Sequence, residues 1–405
     1  MTTGLKRRWI ISRKNMLNAD KQFEILRSGC TEIIEEKELK DKLALGRPLN
    51  IKFGADPSAP DIHLGHIVVL DKLRRFGELG HKIIFIIGDF TARIGDPSGR
   101  SMTRPVLSKE QITENSKTYQ KQIFRILDKK YTQVVHNSQW LENMNLMKIF
   151  ELASMYTVAR MLERRDFKER FKNNMDISGV EFLYPLLQGY DSVHLKADVE
   201  IGGNDQIFNL LMGRTIQQKY EQPPQSVMTL PLLKGLDGEK KMSKSYGNYI
   251  GLDEKPEDIY GKVMSASDSL MYEWTEILSF ADKDAIKGLD PRSAKAVLAH
   301  NISEYICSKD EADRARDHFE KVVVRKGVPE DIKDFFTDES EMPLADLVFA
   351  AGGAPSKSRA KQLVEQGAVS LSGEVIKNFR ENIKIEDGAL LKAGKRFFVK
   401  IRKGK

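Results

Sequence analysis

"LNIKFGADPSAPDIHLGHIVVLDKLRRFGELGHKIIFIIGDF", residues 49–90, decides the fold. It opens on a strand-like segment, "LNIKFGA", and runs through a proline-rich loop into "HLGH". A helix is expected from about Leu64 to Leu79, with Val68, Leu70, Leu73 and Phe76 on its buried side. "KIIFIIGDF" is apolar on both faces, as a strand buried in a parallel sheet must be. Strand, glycine-containing loop, helix and buried strand make the unit of an open α/β sheet. Ligands of such sheets sit where strand carboxyl ends meet helix amino ends.

Further along, "ADVEIGGNDQIFNLLMGR" (197–214) repeats the pattern of strand, glycine turn and helix. Residues up to about Leu45 read as helical and charged, and long helices are expected at roughly 108–128 and 145–172. After about Glu254 the buried-strand signal ends, and "SLMYEWTEILSF" and "PRSAKAVLAHNISEYI" read as amphipathic helices. A charged linker, "TDESEMP", leads to a tail that reads as two helices and a small hairpin sheet. The expected fold class is therefore α/β, a Rossmann-like parallel-sheet domain with a helical insertion, then an α-helical domain and a small α+β domain. The expected divisions are an N-terminal helical segment (1–35), the sheet domain (36–254, insertion about 105–175), the helical domain (255–340) and the tail (342–405).

At 405 residues the chain is too long for one core. It is 40% apolar and 30% charged, and no apolar run approaches the roughly 18 residues of a membrane span. Cys30 and Cys307 lie far apart without CxxC spacing, which points to a reducing, cytoplasmic setting rather than a disulfide framework. The first 18 residues carry five basic and no acidic side chains. Between a transit peptide and a solvated lead-in, the lead-in fits better, because neither a small-residue cleavage pattern nor an amphipathic stripe is present. Residues 342–405 hold 13 Lys and Arg against 6 Asp and Glu, the whole of the net +7, so the first 341 sum to zero. A neutral body with a basic tail suits a polyanionic partner such as nucleic acid.

His63 and His66 are spaced for ligation of a metal on a helix, but such a site needs further ligands. The other five histidines are scattered and the cysteines form no motif, so no metal site is expected. "GEKKMSKSYGN" (238–248) places Lys241 and Lys244 on a loop after an Asp-Gly turn. Neutral imidazoles at a helix amino end can donate to phosphate. Two lysines on a loop can close over the β- and γ-phosphates of a nucleotide, where negative charge grows when the α-phosphate is attacked.

"HLGH" and "KMSKS", in this order, resemble the two signatures of class I aminoacyl-tRNA synthetases. "GDFTARIGDPSGR" (88–100), "YPLLQGYD" (184–191) and "IGGNDQIFNLLMGR" (201–214) resemble the bacterial tyrosyl-tRNA synthetases in particular, and the tail resembles an S4-type RNA-binding domain. The resemblance implies activation of L-tyrosine by Mg-ATP and its transfer to tRNA-Tyr by a homodimer that dimerises through the helical insertion. It implies ATP contacts from Gly54, Asp56, Ser58, His63, Gly65, His66, Gly203, Asp205, Met242, Ser243 and Lys244. His63, His66, Lys241, Lys244, Arg100 and Arg104 would serve the reacting phosphates.

For tyrosine it implies Thr91, Asp96, Tyr184, Gln188, Asp191 and Gln206. Tyr184, Gln188 and Asp191 share one helix face by spacing, and Asp191 would accept the phenolic hydroxyl. A site built to bind that hydroxyl rejects phenylalanine without editing, a rule for which this family is itself the usual illustration. Lys52 departs from the many members with tyrosine there, and is expected as a donor to the phenol or an ion partner of Asp191. In the tail, Lys357, Arg359 and Lys361 would meet RNA. A tryptophanyl-tRNA synthetase and a non-catalytic RNA-binding relative are the alternatives; Asp191 and the tail oppose the first, the intact signatures the second.

Overall fold

The computed structural model describes residues 17–57, 62–96, 108–324, 332–394 and 397–404. The chain divides into two compact units, 1–306 and 307–405.

The first unit is built on six strands, β1 (Glu32–Ile34), β2 (Asn50–Ala55), β3 (Lys82–Ile87), β4 (Thr132–His136), β5 (Val199–Gly203) and β6 (Ser226–Leu230). Their order is β1-β6-β5-β2-β3-β4. All neighbours run parallel except β1, which pairs antiparallel with β6 at one edge. The chain crosses from β2 to β3, then returns to place β5 on the other side of β2. That reversal opens the crevice in which a ligand is expected.

Helices α1 (Ala19–Arg27) and α2 (Glu36–Ala44) flank β1, and α3 (Leu64–Glu78) links β2 to β3. The core side of α3 carries Leu70, Leu73 and Phe76 as its spacing requires, with Val68 half-buried. After β3 come α4 (Lys109–Ile123), α5 (Ser138–Leu141), α6 (Leu146–Ser154), α7 (Val158–Met161) and α8 (Arg165–Lys172). The single helix expected over 145–172 is thus three. Thr157 restarts the chain as an N-cap, its hydroxyl accepting from the Arg160 N–H at 3.3 Å. Helices α9 (Leu183–Leu195) and α10 (Ile207–Lys219) bracket β5, and α11 (Pro256–Met264), α12 (Asp268–Ile277), α13 (Lys283–Ile286) and α14 (Pro291–Ile306) follow β6.

The second unit begins with α15 (Lys309–Phe319). Its strands are β7 (Lys333–Thr337), β8 (Glu341–Pro343), β9 (Val369–Leu371), β10 (Glu374–Val375), β11 (Asn382–Lys384), β12 (Leu390–Ala393) and β13 (Phe397–Lys403). They form a sheet ordered β10-β9-β12-β13-β7 and a small β11-β8 pair. Helices α16 (Leu344–Ala350) and α17 (Lys357–Glu365) bury Leu347, Val348, Ala360 and Val364 in one core with Val369, Leu391, Val399 and Ile401. Strand β7 pairs with β13, so residues before 342 are part of this sheet.

Asp71 ties α3 to the later helices of the first unit. Its buried carboxylate accepts from Arg74 Nη2 at 2.6 Å, Arg75 Nε at 3.0 Å, the Tyr305 hydroxyl at 2.9 Å and the Ser279 hydroxyl. Burial opposes its ionisation, but Arg74 and Arg75 outweigh burial and hold the carboxyl below its usual range. Asp71→Ala should cost roughly 2–4 kcal/mol, between a charged hydrogen bond and a broken buried ion pair. Denaturant unfolding checks this; an unchanged midpoint would remove Asp71 as the tie.

Candidate active site

Two groups of side chains gather at the carboxyl ends of β2, β3 and β5. The first joins the two signature segments. The Leu64 N–H donates to the Ile250 carbonyl at 2.9 Å and the Leu252 N–H to the Ile62 carbonyl at 3.0 Å. His63 and Gly251 thereby form an antiparallel bridge that fixes the residues after "KMSKS" against the start of α3. A Cβ on Gly65 would stand 3.0 Å from His63 Nδ1 and 3.6 Å from Met242 Cβ, so glycine lets the segments approach. Met242 is buried, and Ser243 is held by its N–H to Asn248 Oδ1 at 2.8 Å. Lys241 Nζ reaches Asp205 Oδ2 at 2.7 Å, just beyond Gly203 at the end of β5. Lys244 opens a short 3-10 turn with its ammonium 6.0 Å from the Tyr249 ring.

The His63 and His66 rings stand 4.0 Å apart, and the His63 N–H donates to His66 Nδ1 at 3.2 Å. Burial, with Lys241 nearby, pushes His63 down to about 2 and His66 down to about 4. Both imidazoles are therefore neutral at physiological pH. Among the described residues His63 Nδ1 is buried without a hydrogen-bond partner, an atom that a bound group can satisfy.

The second group is acidic. Asp56, at the end of β2, accepts from the Thr91 hydroxyl at 2.7 Å and the Tyr184 hydroxyl at 2.9 Å. A Cβ on Gly88 would overlap both the Asp56 and Thr91 oxygens, so only glycine fits there. Asp191 accepts from Trp140 Nε1 at 2.8 Å and Asn137 Nδ2 at 3.4 Å, and the same amide lies 3.1 Å from the Thr91 hydroxyl. Gln206 Nε2 donates to Asp96 at 2.7 Å, with Arg164 3.8 Å from the same carboxylate. Burial pushes Asp56 up to about 7, against the Thr91 hydrogen bond and with the Asp96 charge. Burial also pushes Asp191 up to about 7, against the Lys52 cation.

Most of the expected site residues thus fall into one group or the other. Asp56, expected with the nucleotide, directs its carboxylate toward Thr91 and Tyr184. Lys52 is paired with Glu200 at 2.8 Å, and Asp191 takes its hydrogen bonds from Trp140 and Asn137 instead. The reason is register: Lys52 and Glu200 are direct partners across β2 and β5. Gln188 turns its amide to Glu200 at 3.1 Å. Ser58, Arg100 and Arg104 lie outside the described residues. Lys357, Arg359 and Lys361 belong to the second unit, where they pair with Asp346, Gln362 and the Phe379 ring.

Asn137, Trp140, Arg164 and Glu200 were not singled out from the sequence. For the first two, the readable signal was polar and aromatic residues just past a strand end, which required recognising β4. For Glu200 it was an acid inside an otherwise apolar strand, a residue that burial obliges to find a cation.

Residues 44–324 match the family model for class I tRNA synthetases (W and Y), and residues 342–387 match that for the S4 domain. The chain belongs to the class I tRNA synthetases of the W and Y family. A tyrosine–tRNA ligase of Thermotoga maritima is 47% identical over 96% of this chain and 99% of its own length. One of Haemophilus ducreyi is 50% identical over 93% of this chain and 96% of its own. Among solved structures, the tyrosyl-tRNA synthetase of Archaeoglobus fulgidus complexed with L-tyrosine shares the fold. Its TM-score is 0.60 at 21% identity, over 74% of this synthetase and 99% of that chain.

The raised Asp56 gives a test with a definite sign. An amino-acid ammonium held by Asp56 would bind best to its ionised form, which is populated above about 7. Amino-acid affinity should therefore rise between about pH 6 and pH 8 and then level off. Calorimetric titration at constant ionic strength reads this directly; affinity that falls with pH over that span would contradict the assignment.

Proposed function

We infer that the chain is a tyrosine–tRNA ligase. It condenses L-tyrosine with ATP to tyrosyl-AMP and pyrophosphate, then transfers the tyrosyl group to the 3′ end of tRNA-Tyr. The observation that carries this reading is Asp191, a buried carboxylate linked through Asn137 to the Thr91–Asp56–Tyr184 cluster. A phenolic hydroxyl can donate to it, whereas a phenyl ring offers no donor and would leave it short of a partner.

In this reading Asp96, Gln206, Tyr184 and Asp56 hold the substrate's ammonium, with Thr91 and Gln188 supporting them. The substrate carboxylate attacks the α-phosphorus, and the bond to the β-phosphate breaks with its electron pair leaving on pyrophosphate. Negative charge grows on the departing phosphates, where Lys241 and Lys244 can stabilise it electrostatically. Neutral His63 and His66 donate hydrogen bonds there, with Gly65, Met242 and Ser243 shaping the loop. Gly54, Gly203 and Asp205 serve the nucleotide side, Asp205 through the ribose hydroxyls. Magnesium enters as part of the ATP complex. A terminal ribose hydroxyl of the tRNA then attacks the tyrosyl carbonyl and AMP departs. No covalent enzyme intermediate is required; orientation and electrostatics carry the rate.

The reading extends to a homodimer in the cytoplasm. Leu146, Met147 and Phe150 on α6 and Val158 on α7 are 65%, 72%, 56% and 62% exposed, an apolar face suited to a second copy. Among the described residues Cys30 and Cys307 form no disulfide, and no helix is long and apolar enough to cross a membrane. The helices after Glu254 and the basic second unit, with Lys357, Arg359 and Lys361, would contact the tRNA.

The deciding experiment is amino-acid-dependent ATP–pyrophosphate exchange across the standard amino acids. Tyrosine should support it, and exchange with tryptophan instead would overturn the reading. Lys244→Ala should lose roughly 2–4 kcal/mol of transition-state stabilisation, on the order of 10² to 10³ in rate, with tyrosine affinity unchanged. Equal loss of binding and rate would reassign Lys244. A chain stopped after Val324, which removes the sheet containing β7 intact, should keep exchange and lose tRNA charging at physiological salt. Undiminished charging would separate the residues after Val324 from tRNA.

A further inference from the structure

Lys52 and Glu200 lie at the centre of the sheet, and their side chains are 0% and 1% exposed. Besides Glu200, the Lys52 ammonium donates to the Gln188 carbonyl at 2.8 Å and the Ser192 hydroxyl at 2.6 Å. An ammonium has three donors, and all three are engaged within the protein, leaving none for a substrate. Glu200 is equally occupied, accepting from Gln188 Nε2, from the Ser192 hydroxyl at 3.2 Å and from Gln225 Nε2. Gln188 and Ser192 stand on either side of Asp191 on α9. A buried ion pair contributes little stability that a packed apolar pair would not match, so its place directly behind the site suggests another use.

We propose that the Lys52–Glu200 pair is a positioning element for side-chain selection. It fixes the turn of α9 that carries Asp191, and its buried positive charge keeps that carboxyl an acceptor for a phenolic hydroxyl. The proposal rests on the tyrosine–tRNA ligase reading. Asp191 is faced by Lys52 from β2, Glu200 from β5, Asp56 beyond β2, and Tyr184 on α9 itself. Trp140 and Asn137 meet it from the β4–α5 side, and His194 stacks on Trp140 at 4.4 Å, its pKa lowered by partial desolvation. Lys52 favours the ionised carboxylate more strongly than Glu200 opposes it. The two members of the pair should therefore act on Asp191 with opposite sign.

The test is the ratio of kcat/KM for tyrosine to that for phenylalanine, followed against pH by pyrophosphate exchange. The ratio cancels Asp56, which serves the ammonium of both substrates. Lys52→Met should move the midpoint of the ratio from about 7 to about 8, lowering discrimination about fivefold at pH 7. Glu200→Gln should move it down. Should the single Lys52 variant fail to fold, Lys52→Met/Glu200→Gln leaves no unpaired buried charge and should still move the midpoint up. KM for ATP should stay constant throughout. Midpoints unchanged in the double variant and in Glu200→Gln, with only thermal stability altered, would overturn the proposal and leave the pair structural. Absence of tyrosine-dependent exchange in the unaltered protein would instead sink the ligase reading.

Discussion

A carboxylate taken out of water must be hydrogen-bonded, paired or protonated, and the arrangement of this site follows from meeting that constraint at Asp56 and Asp191. Thr91 and Tyr184 satisfy Asp56, Trp140 and Asn137 satisfy Asp191, and Asn137 links the two through Thr91. The four partners come from three elements: Thr91 from the turn after β3, Tyr184 from the start of α9, and Asn137 and Trp140 from α5 and its cap after β4. Sheet, insertion and helix therefore converge on the two acids, and a change in any of them is felt there.

The other half of the site has the opposite electrical character. Neutral imidazoles at the amino end of α3 and the lysines of the "KMSKS" loop offer donors and positive charge, with Lys241 paired to Asp205. The backbone bridge between residues 62–64 and 250–252 couples that loop to α3. Asp71, farther along α3, ties the same helix to Ser279 and Tyr305. One helix thus transmits its position from the later helices to His63 and His66 at its amino end.

The elements with a strong period were legible from the residues. The α3 stripe, the doubly apolar β3 and the strand–turn–helix at 197–214 stand where the pattern placed them. Short edge strands were not: β1 has three residues, and β4 is half-exposed, so neither carries a clear period. With β4 unseen, Asn137 and Trp140 lost the context that marks them as site residues. The shared face of Tyr184, Gln188 and Asp191 was readable from spacing, but their partners depend on strand register. The Lys52–Glu200 pairing is the sharpest case, since two residues 148 positions apart meet only when β2 and β5 lie side by side.

The central claim is that Asp191 reads a hydroxyl, and equilibrium binding tests it without any turnover. Calorimetric titration of the unaltered protein with tyrosine and with phenylalanine, repeated on Asp191→Asn, isolates that contact. The account requires tyrosine to bind well and phenylalanine far more weakly, with the difference largely gone in Asp191→Asn. Similar affinities for both amino acids in the unaltered protein, or an undiminished preference in the variant, would contradict it.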